Sequence, residues 1–259
     1  MNIQFYKYQG TGNDFVMIDN RNEKFPKENK SLVAAMCDRR FGVGADGLIL
    51  LDNSDSADFK MVYFNADGSE STMCGNGGRC LVAFAKHMGV IVAETTFDAV
   101  DGVHFASIDN GIVSLQMIDV NTVETHKNHF FLDTGSPHHV EIVENLAQYD
   151  VLTNGKRIRE GSPYFEVGSN VNFVELLTES KIKVRTFERG VENETLSCGT
   201  GVTASAIALN YAKIVSSNSI DIEVEGGELN VSFKYDNGNY SKVFLKGPAT
   251  FVFEGEFSY

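Results

Sequence analysis

The chain of 259 residues is long enough for one large domain or two ordinary ones, and its 22 basic and 35 acidic residues leave a net charge of −13. No run of Lys or Arg exceeds two, so nucleic acid and anionic membrane are excluded as expected partners in favour of a small solute or another protein. No basic region followed by an apolar run opens the sequence and no stretch of roughly 18 apolar residues interrupts it, so the expectation is a soluble, cytoplasmic protein with reduced cysteines.

In chain order, "IQFYKYQ" and "FVMIDN" read as strands around the turn "GTGND". "SLVAAMCDRRFG" reads as a helix with Ser31 as its N-cap and Cys37 inside it. Strands "GLILLD" and "FKMVYFNADG" follow, then the Asn-Gly-Gly turn of "MCGNGGRC". The next segment, "RCLVAFAKHMG", is apolar around most of a helical circumference and is expected to be buried. Residues 92–119 alternate strand-like runs with Gly, Asn and Asp turns. "NTVETHKNH" breaks the hydrophobic pattern, which places a domain boundary near Val120 and predicts domains 1–119 and 120–247. Strand, helix and turn signals resume at "FFLDTGSPHHVEIVE". The closing pair "YSKVFLKGPATFVFEGEF" is expected to carry 248–259 back to the first domain.

One pattern occurs twice. "FNADGSESTMCGNGGRCLVAFA" (64–85) and "FERGVENETLSCGTGVTASAIA" (187–208) both run strand, polar turn, a glutamate four residues before a cysteine, Cys-Gly-x-Gly, and an apolar helix. The copies lie too far apart for a short-period repeat and point to two similar domains facing each other, with Cys74 and Cys198 brought to one cleft.

The glycines allow a sharp turn with unobstructed N–H groups at a helix start, which makes an anion cradle and lowers the pKa of an adjacent thiol. Cys37 and Cys80 lack this context and read as small buried hydrophobes. Neither copy ends in the Gly-Lys-Ser/Thr of a phosphate loop, and no cysteine or histidine spacing suits structural zinc. Two thiols facing one bound carboxylate suit inversion of the adjacent carbon, one sulfur removing a proton and the other returning one, with no cofactor.

These motifs, with "GTGNDF", "GVGADGL", "GSPHHV", "SNVNFVE" and "GPATFVFEGEF", run in order from residue 10 to residue 256 and resemble the diaminopimelate epimerases. The resemblance implies an α/β fold of two pseudo-symmetric domains, each a curved mixed sheet around a central helix. It also implies a pyridoxal-phosphate-independent interconversion of LL- and meso-2,6-diaminopimelate, and a homodimer. By motif, Cys74 and Cys198 match the catalytic pair. Gly75, Asn76, Gly199 and Thr200 match the cradle for the reacting carboxylate, and Asn13, Asn65, Asn170, Glu188 and Arg189 match substrate-binding positions. Arg189 can grip a distal carboxylate through two charge-assisted bonds and Glu188 can take an ammonium, although Arg189 alone would read as a surface charge and Asn13 and Asn65 as turn formers. His138 matches a histidine near a catalytic thiol, with a neutral or charged ring setting that thiol's protonation; His139 is assigned to solvent or to structure. Ser136 stands where the family often has a substrate-binding asparagine, and Asp46 reads either as a substrate-side residue or as an ordinary turn aspartate. Proline and hydroxyproline epimerases share the two-cysteine plan, but their first motif typically has a histidine where this chain has Asn76. An epimerase for another amino acid, and a redox-sensing binding protein with a Cys74–Cys198 disulfide, are the competing readings.

Overall fold

The computed structural model describes residues 2–71 and 73–259. The hairpin of β1 (Asn2–Gly10) and β2 (Asn13–Asp19) closes through Thr11 and Gly12, both at positive φ (49° and 87°), as a two-residue loop between twisted strands requires. Helix α1 (Lys30–Cys37) begins two residues earlier than its apolar spacing suggested. Asn29, not Ser31, is the cap, because the Asn29 side chain accepts from Leu32 N at 3.0 Å while Ser31 already lies in the first turn.

Strand β3 (Gly47–Asp52) shows why "GLILLD" is continuously apolar. Leu48 and Leu50 pack with Leu32, Val33 and Met36 of α1, whereas Ile49 points the other way, towards α2 (Gly75–His87). Each fully buried leucine of this kind contributes roughly 1.5–3 kcal/mol. Strands β4 (Phe59–Asn65), β5 (Glu94–Ala99), β6 (Gly102–Asp109) and β7 (Ile112–Gln116) complete the first run.

The second run contains β8 (Glu124–Thr125), β9 (Phe130–Asp133), β10 (Pro137–Ile142), α3 (Val151–Glu160), β11 (Asn170–Thr178), β12 (Lys181–Glu188) and β13 (Asn193–Thr195). It continues with α4 (Gly199–Tyr211), β14 (Ser219–Val224), β15 (Gly227–Asp236) and β16 (Asn239–Pro248). The last strand is β17 (Thr250–Ser258). Two compact units result: one runs through Leu115 and takes in Gly247–Tyr259, and the other is Gln116–Lys246.

Within the first unit the strand order is β17-β1-β2-β3-β4-β5-β6-β7. Successive pairs are antiparallel, antiparallel, parallel, antiparallel, parallel, antiparallel and antiparallel. Within the second unit the order β8-β9-β10-β11-β12-β14-β15-β16 gives the same sequence of directions. The helices follow suit: α1 and α3 each connect the third strand of the order to the fourth, and α2 and α4 each lie between the fifth and the sixth. In the first unit α2 packs on β1, β2, β3, β6 and β17, and in the second α4 packs on β9, β10, β11, β12 and β15, so each sheet surrounds one helix. The α/β class with two internally matching halves agrees with the expectation. The sequence alone had shown only the repeated motif.

Candidate functional site

Both helices that the sheets surround start at a cysteine. Cys74 caps α2 and Cys198 caps α4, each with extended backbone (φ −118° and −119°) and neither making a side-chain capping bond. The orphan N–H groups of each first turn therefore lack the usual side-chain partner, and the positive helix end is presented beside a thiol. The glycines serve differently from the sharp turn expected of them. Gly75, Gly77, Gly199 and Gly201 are helical, and none has positive φ. What they permit is approach: a Cβ on Gly77 would come within 2.8 Å of Ile49 Cδ1, and one on Gly201 within 2.3 Å of Asn172 Oδ1.

Around Cys74 the first unit assembles a hydrogen-bonded chain. Asp46 accepts from Asn13 Nδ2 at 2.6 Å, which turns Asn13 Oδ1 towards Cys74 Sγ (3.7 Å) and Asn76 Nδ2 (3.3 Å). The other oxygen of Asp46 takes Arg39 at 2.7 Å. Both oxygens are engaged, so Asp46 orients Asn13 rather than standing as a bare turn aspartate. Arg39 also grips Asp14 through two bonds, and Lys7 pairs with the same carboxylate at 2.7 Å. Burial raises the Asp14 pKa, but these two cations outweigh it and hold the carboxyl at about 2. Asn65 lies at the end of β4, opposite Gly47, and its Nδ2 contacts Ser69 Oγ at 3.3 Å, so its turn-forming part is visible.

The second unit supplies hydroxyls and amides together with the charged Arg189 and Glu188. Cys198 Sγ lies 3.5 Å from Thr200 Oγ1, and Thr134 donates to the Thr200 carbonyl at 2.9 Å. Asn170 donates to Ser136 Oγ at 3.0 Å and accepts from the Arg189 backbone N at 2.9 Å. The serine thus engages its neighbouring amide. Arg189 Nη1 bonds to Val167 O, and Glu188 Oε2 accepts from Thr195 Oγ1 at 2.9 Å.

His138 is wholly buried. Its Nδ1 faces Asn172 Nδ2 at 3.0 Å, and that amide is fixed by two further bonds, Nδ2 to His139 O at 3.0 Å and Oδ1 from Thr186 Oγ1 at 2.9 Å. Because Nδ2 can only donate, Nδ1 is the acceptor and the proton sits on Nε2, which has no protein partner among the described residues. Burial, reinforced by the charge of Arg189, lowers the His138 pKa to about 3 against the Asn172 bond. Of the two charge states open to this ring, only the neutral one belongs near neutrality. His139 is structural and not solvent-facing: it is buried, bonded to Tyr164 Oη at 2.9 Å and stacked on His129 at 4.1 Å.

Cys37 and Cys80 are both buried, and burial pushes each thiol up to about 12, as befits packing groups. The chain reading missed Asn172, Thr134, Arg39 and Arg79. For Asn172 a signal existed. "NVNFV" sets asparagines two apart in an otherwise apolar strand, hence on one face. Among the described residues no group of three His, Cys, Asp or Glu side chains is placed to hold a metal ion, and no helix is long and apolar enough to cross a membrane.

The sequence model of the diaminopimelate epimerases matches residues 5–122 and 130–252. A diaminopimelate epimerase of Flavobacterium psychrophilum is 58% identical over 97% of this chain and 99% of its own, and one of Chlorobaculum tepidum 44% identical over 95% and 98%. Among solved structures, a phenazine biosynthesis protein of Bacillus anthracis superposes with a TM-score of 0.79 at 15% identity, covering 100% of both chains. A hydroxyproline epimerase of Agrobacterium vitis gives 0.68 at 13% identity, covering 98% of this chain and 92% of its own. Those two likenesses speak to the fold, whereas the sequence matches, which extend through both cysteine-capped helices, show that the chain belongs to the diaminopimelate epimerase family.

Proposed function

We propose that the protein is an isomerase that interconverts LL- and meso-2,6-diaminopimelate through two thiols. The observation that carries this reading is the repetition: in each of two matching sheets, a cysteine and a Gly-x-Gly turn open the enclosed helix. In the proposed reaction one sulfur, as thiolate, takes the α-proton from one face of the substrate carbon. The other, as thiol, delivers its proton to the opposite face, and the roles exchange in the reverse direction. The N–H groups at Gly75, Asn76, Gly199 and Thr200 hold the α-carboxylate and stabilise charge that develops on it in the transition state. Arg189 and Glu188 pair with the distal carboxylate and ammonium, with Asn13, Asn65 and Asn170 as polar contacts and Ser136 acting through Asn170. His138 supports the site as a neutral donor. The chemistry needs only proton transfer, so no step is assigned to a cofactor.

Chiral chromatography of LL-diaminopimelate incubated with the purified protein tests this directly, and the meso form is the expected product without added pyridoxal phosphate. In heavy water, early product should carry solvent deuterium while recovered substrate stays largely unlabelled. Absence of meso product, or inversion only of another amino acid, refutes the substrate assignment. The reading includes a cytoplasmic setting, supported by four free thiols, and a homodimer, supported by the exposed Phe251, Val252 and Phe253 on β17. Sedimentation of the purified protein checks the latter.

A further inference from the structure

Arg79, a buried charged side chain of the first unit, has no counter-charge among the described residues. Arg79 lies one and a half turns into α2 and is 0% exposed. Its contacts are long and neutral: Nη2 to Thr11 Oγ1 at 3.2 Å and Nη1 to the Gly75 carbonyl at 3.4 Å. Nε has no acceptor, and none of the ion pairs among the described residues includes Arg79. A guanidinium does not lose its proton in a protein, and a buried, unmatched charge is costly enough to need a compensating anion.

The duplication shows where that anion belongs. Arg79 is five residues beyond Cys74, and the residue five beyond Cys198 is Thr203, also fully buried, whose Oγ1 donates to the Gly199 carbonyl at 2.9 Å. The same place in the two helices thus holds a cation in one and a satisfied hydroxyl in the other. Two sulfurs lie near the guanidinium: Cys80 is its neighbour in the chain, and Cys74 precedes Gly75, whose carbonyl Nη1 contacts. Cys80 is sealed and neutral, whereas Cys74 is half-buried at the helix start. We infer that Arg79 is a positioning residue acting through Cys74, its buried charge stabilising the thiolate so that Cys74 rather than Cys198 is ionised in the substrate-free protein.

The other groups near this end of α2 do not supply the charge. Asp14 of β2 is matched by Lys7 of β1 and by Arg39, and Asp46 is matched by Arg39; Tyr8 of β1 is bonded to His87 Nδ1 at 2.8 Å, at the far end of the helix. Asn13 Oδ1, facing the Cys74 sulfur at 3.7 Å, accepts from the thiol and opposes ionisation weakly. The inference rests on the reading of Cys74 as a proton-transferring thiol, but it is tested on the sulfur itself rather than on turnover.

The experiment is alkylation of the full-length protein by iodoacetamide across a pH series, with each cysteine followed by peptide mass spectrometry. In the unmodified sequence Cys74 should reach half its limiting rate below the free-thiol value of ~8.5, and at lower pH than Cys198. Arg79→Gln and Arg79→Met should move the Cys74 midpoint upward and slow its modification at pH 7 about tenfold or more, since the rate there follows the thiolate fraction, while leaving the Cys198 midpoint in place. A Cys74 midpoint at or above ~8.5 in the unmodified protein overturns the inference, as does a folded Arg79→Gln protein with an unmoved midpoint. Should neither neutral variant fold, the midpoint of the unmodified protein decides alone. If Cys74 is acidic but Cys74→Ala still inverts diaminopimelate, the inference about Arg79 stands and the catalytic reading fails.

Discussion

The starts of α2 and α4 use one scaffold with different chemistry beneath it. Both have an extended cysteine cap, a first glycine, and a second glycine pressed against the sheet. Under Cys74, however, the chain places Arg79 and, beyond Asn13, the charged set Asp46, Arg39, Asp14 and Lys7. Under Cys198 the groups are Thr200, Thr203, Asn172 and a neutral His138, on which the charge of Arg189 acts. The two helix starts share one geometry, while the residues that support the two sulfurs have diverged. Thiols in unequal surroundings need not ionise alike.

The sharpest way to break the comparison is to remove each sulfur. Cys74→Ala and Cys198→Ala should each lower kcat for inversion about 10³-fold or more, consistent with loss of an acid or a base, while Cys37→Ala leaves kcat within a few-fold. Substantial inversion by either of the first two proteins defeats the two-thiol reading. Oxidation should inactivate the protein reversibly, with a mapped Cys74–Cys198 disulfide; a bond joining Cys37 to Cys80 instead would contradict it.

The glycines differ in what they press on, which gives a stability contrast. A Cβ on Gly201 meets the Asn172 oxygen, held by its bond from Thr186, whereas one on Gly77 meets the free end of Ile49. Gly201→Ala should therefore cost about 2–3 kcal/mol in chemical denaturation and Gly77→Ala less than about 1, part of it returned by the helix preference of alanine. Equal losses would mean that the two helices seat alike.

The tautomer under α4 can be read by nitrogen NMR of the imidazoles. His138 should show the Nε2–H form and stay neutral as the pH falls, until near 3. Because the unfolded ring binds a proton near ~6.5, stability from this group is complete above that pH and lost progressively below it. Asn172→Asp should convert Nδ1 into a donor and raise the ring's pKa, flattening that acid loss. An Nδ1–H signal in the unmodified protein would refute the clamp.

A modest, pH-dependent effect belongs to the charged set of the first unit. Asp14 is held at about 2 by Arg39 and Lys7 after burial is overcome, so its contribution is present above ~3.9 and falls away as the pH drops towards 2. Since Arg39 is largely exposed, Asp14→Asn should cost about 1–2 kcal/mol at neutral pH and nothing near pH 2. A cost that persists at pH 2 would assign Asp14 a packing role.

Much of this was legible in the chain because the signals are local. The apolar run "GLILLD" announced a strand, and the two Cys-Gly-x-Gly copies announced paired helices. The cap of α1 was misplaced because Ser31 and Asn29 are both good capping types and only the backbone path decides which reaches Leu32. Arg79 and Asn172 escaped notice for a different reason. Their meaning lies in what is missing around one and in three bonds to the two flanking strands around the other. The matched strand directions of the two sheets were invisible for the same cause, since pairing joins residues far apart in sequence.

The pairing of β17 with β1 brings Asn2 opposite Ser258. The second unit is therefore spliced into the first, and the first cannot be finished until the final strand arrives. During synthesis, β1 waits with an open edge while the whole of Gln116–Lys246 emerges as one uninterrupted segment that can fold ahead of it. Closing that last pair joins chain positions about as distant as this sequence allows, a slow, non-local step. Assembly thus runs from the middle outward, and loss of a few residues at the carboxyl end would injure the amino-terminal unit first.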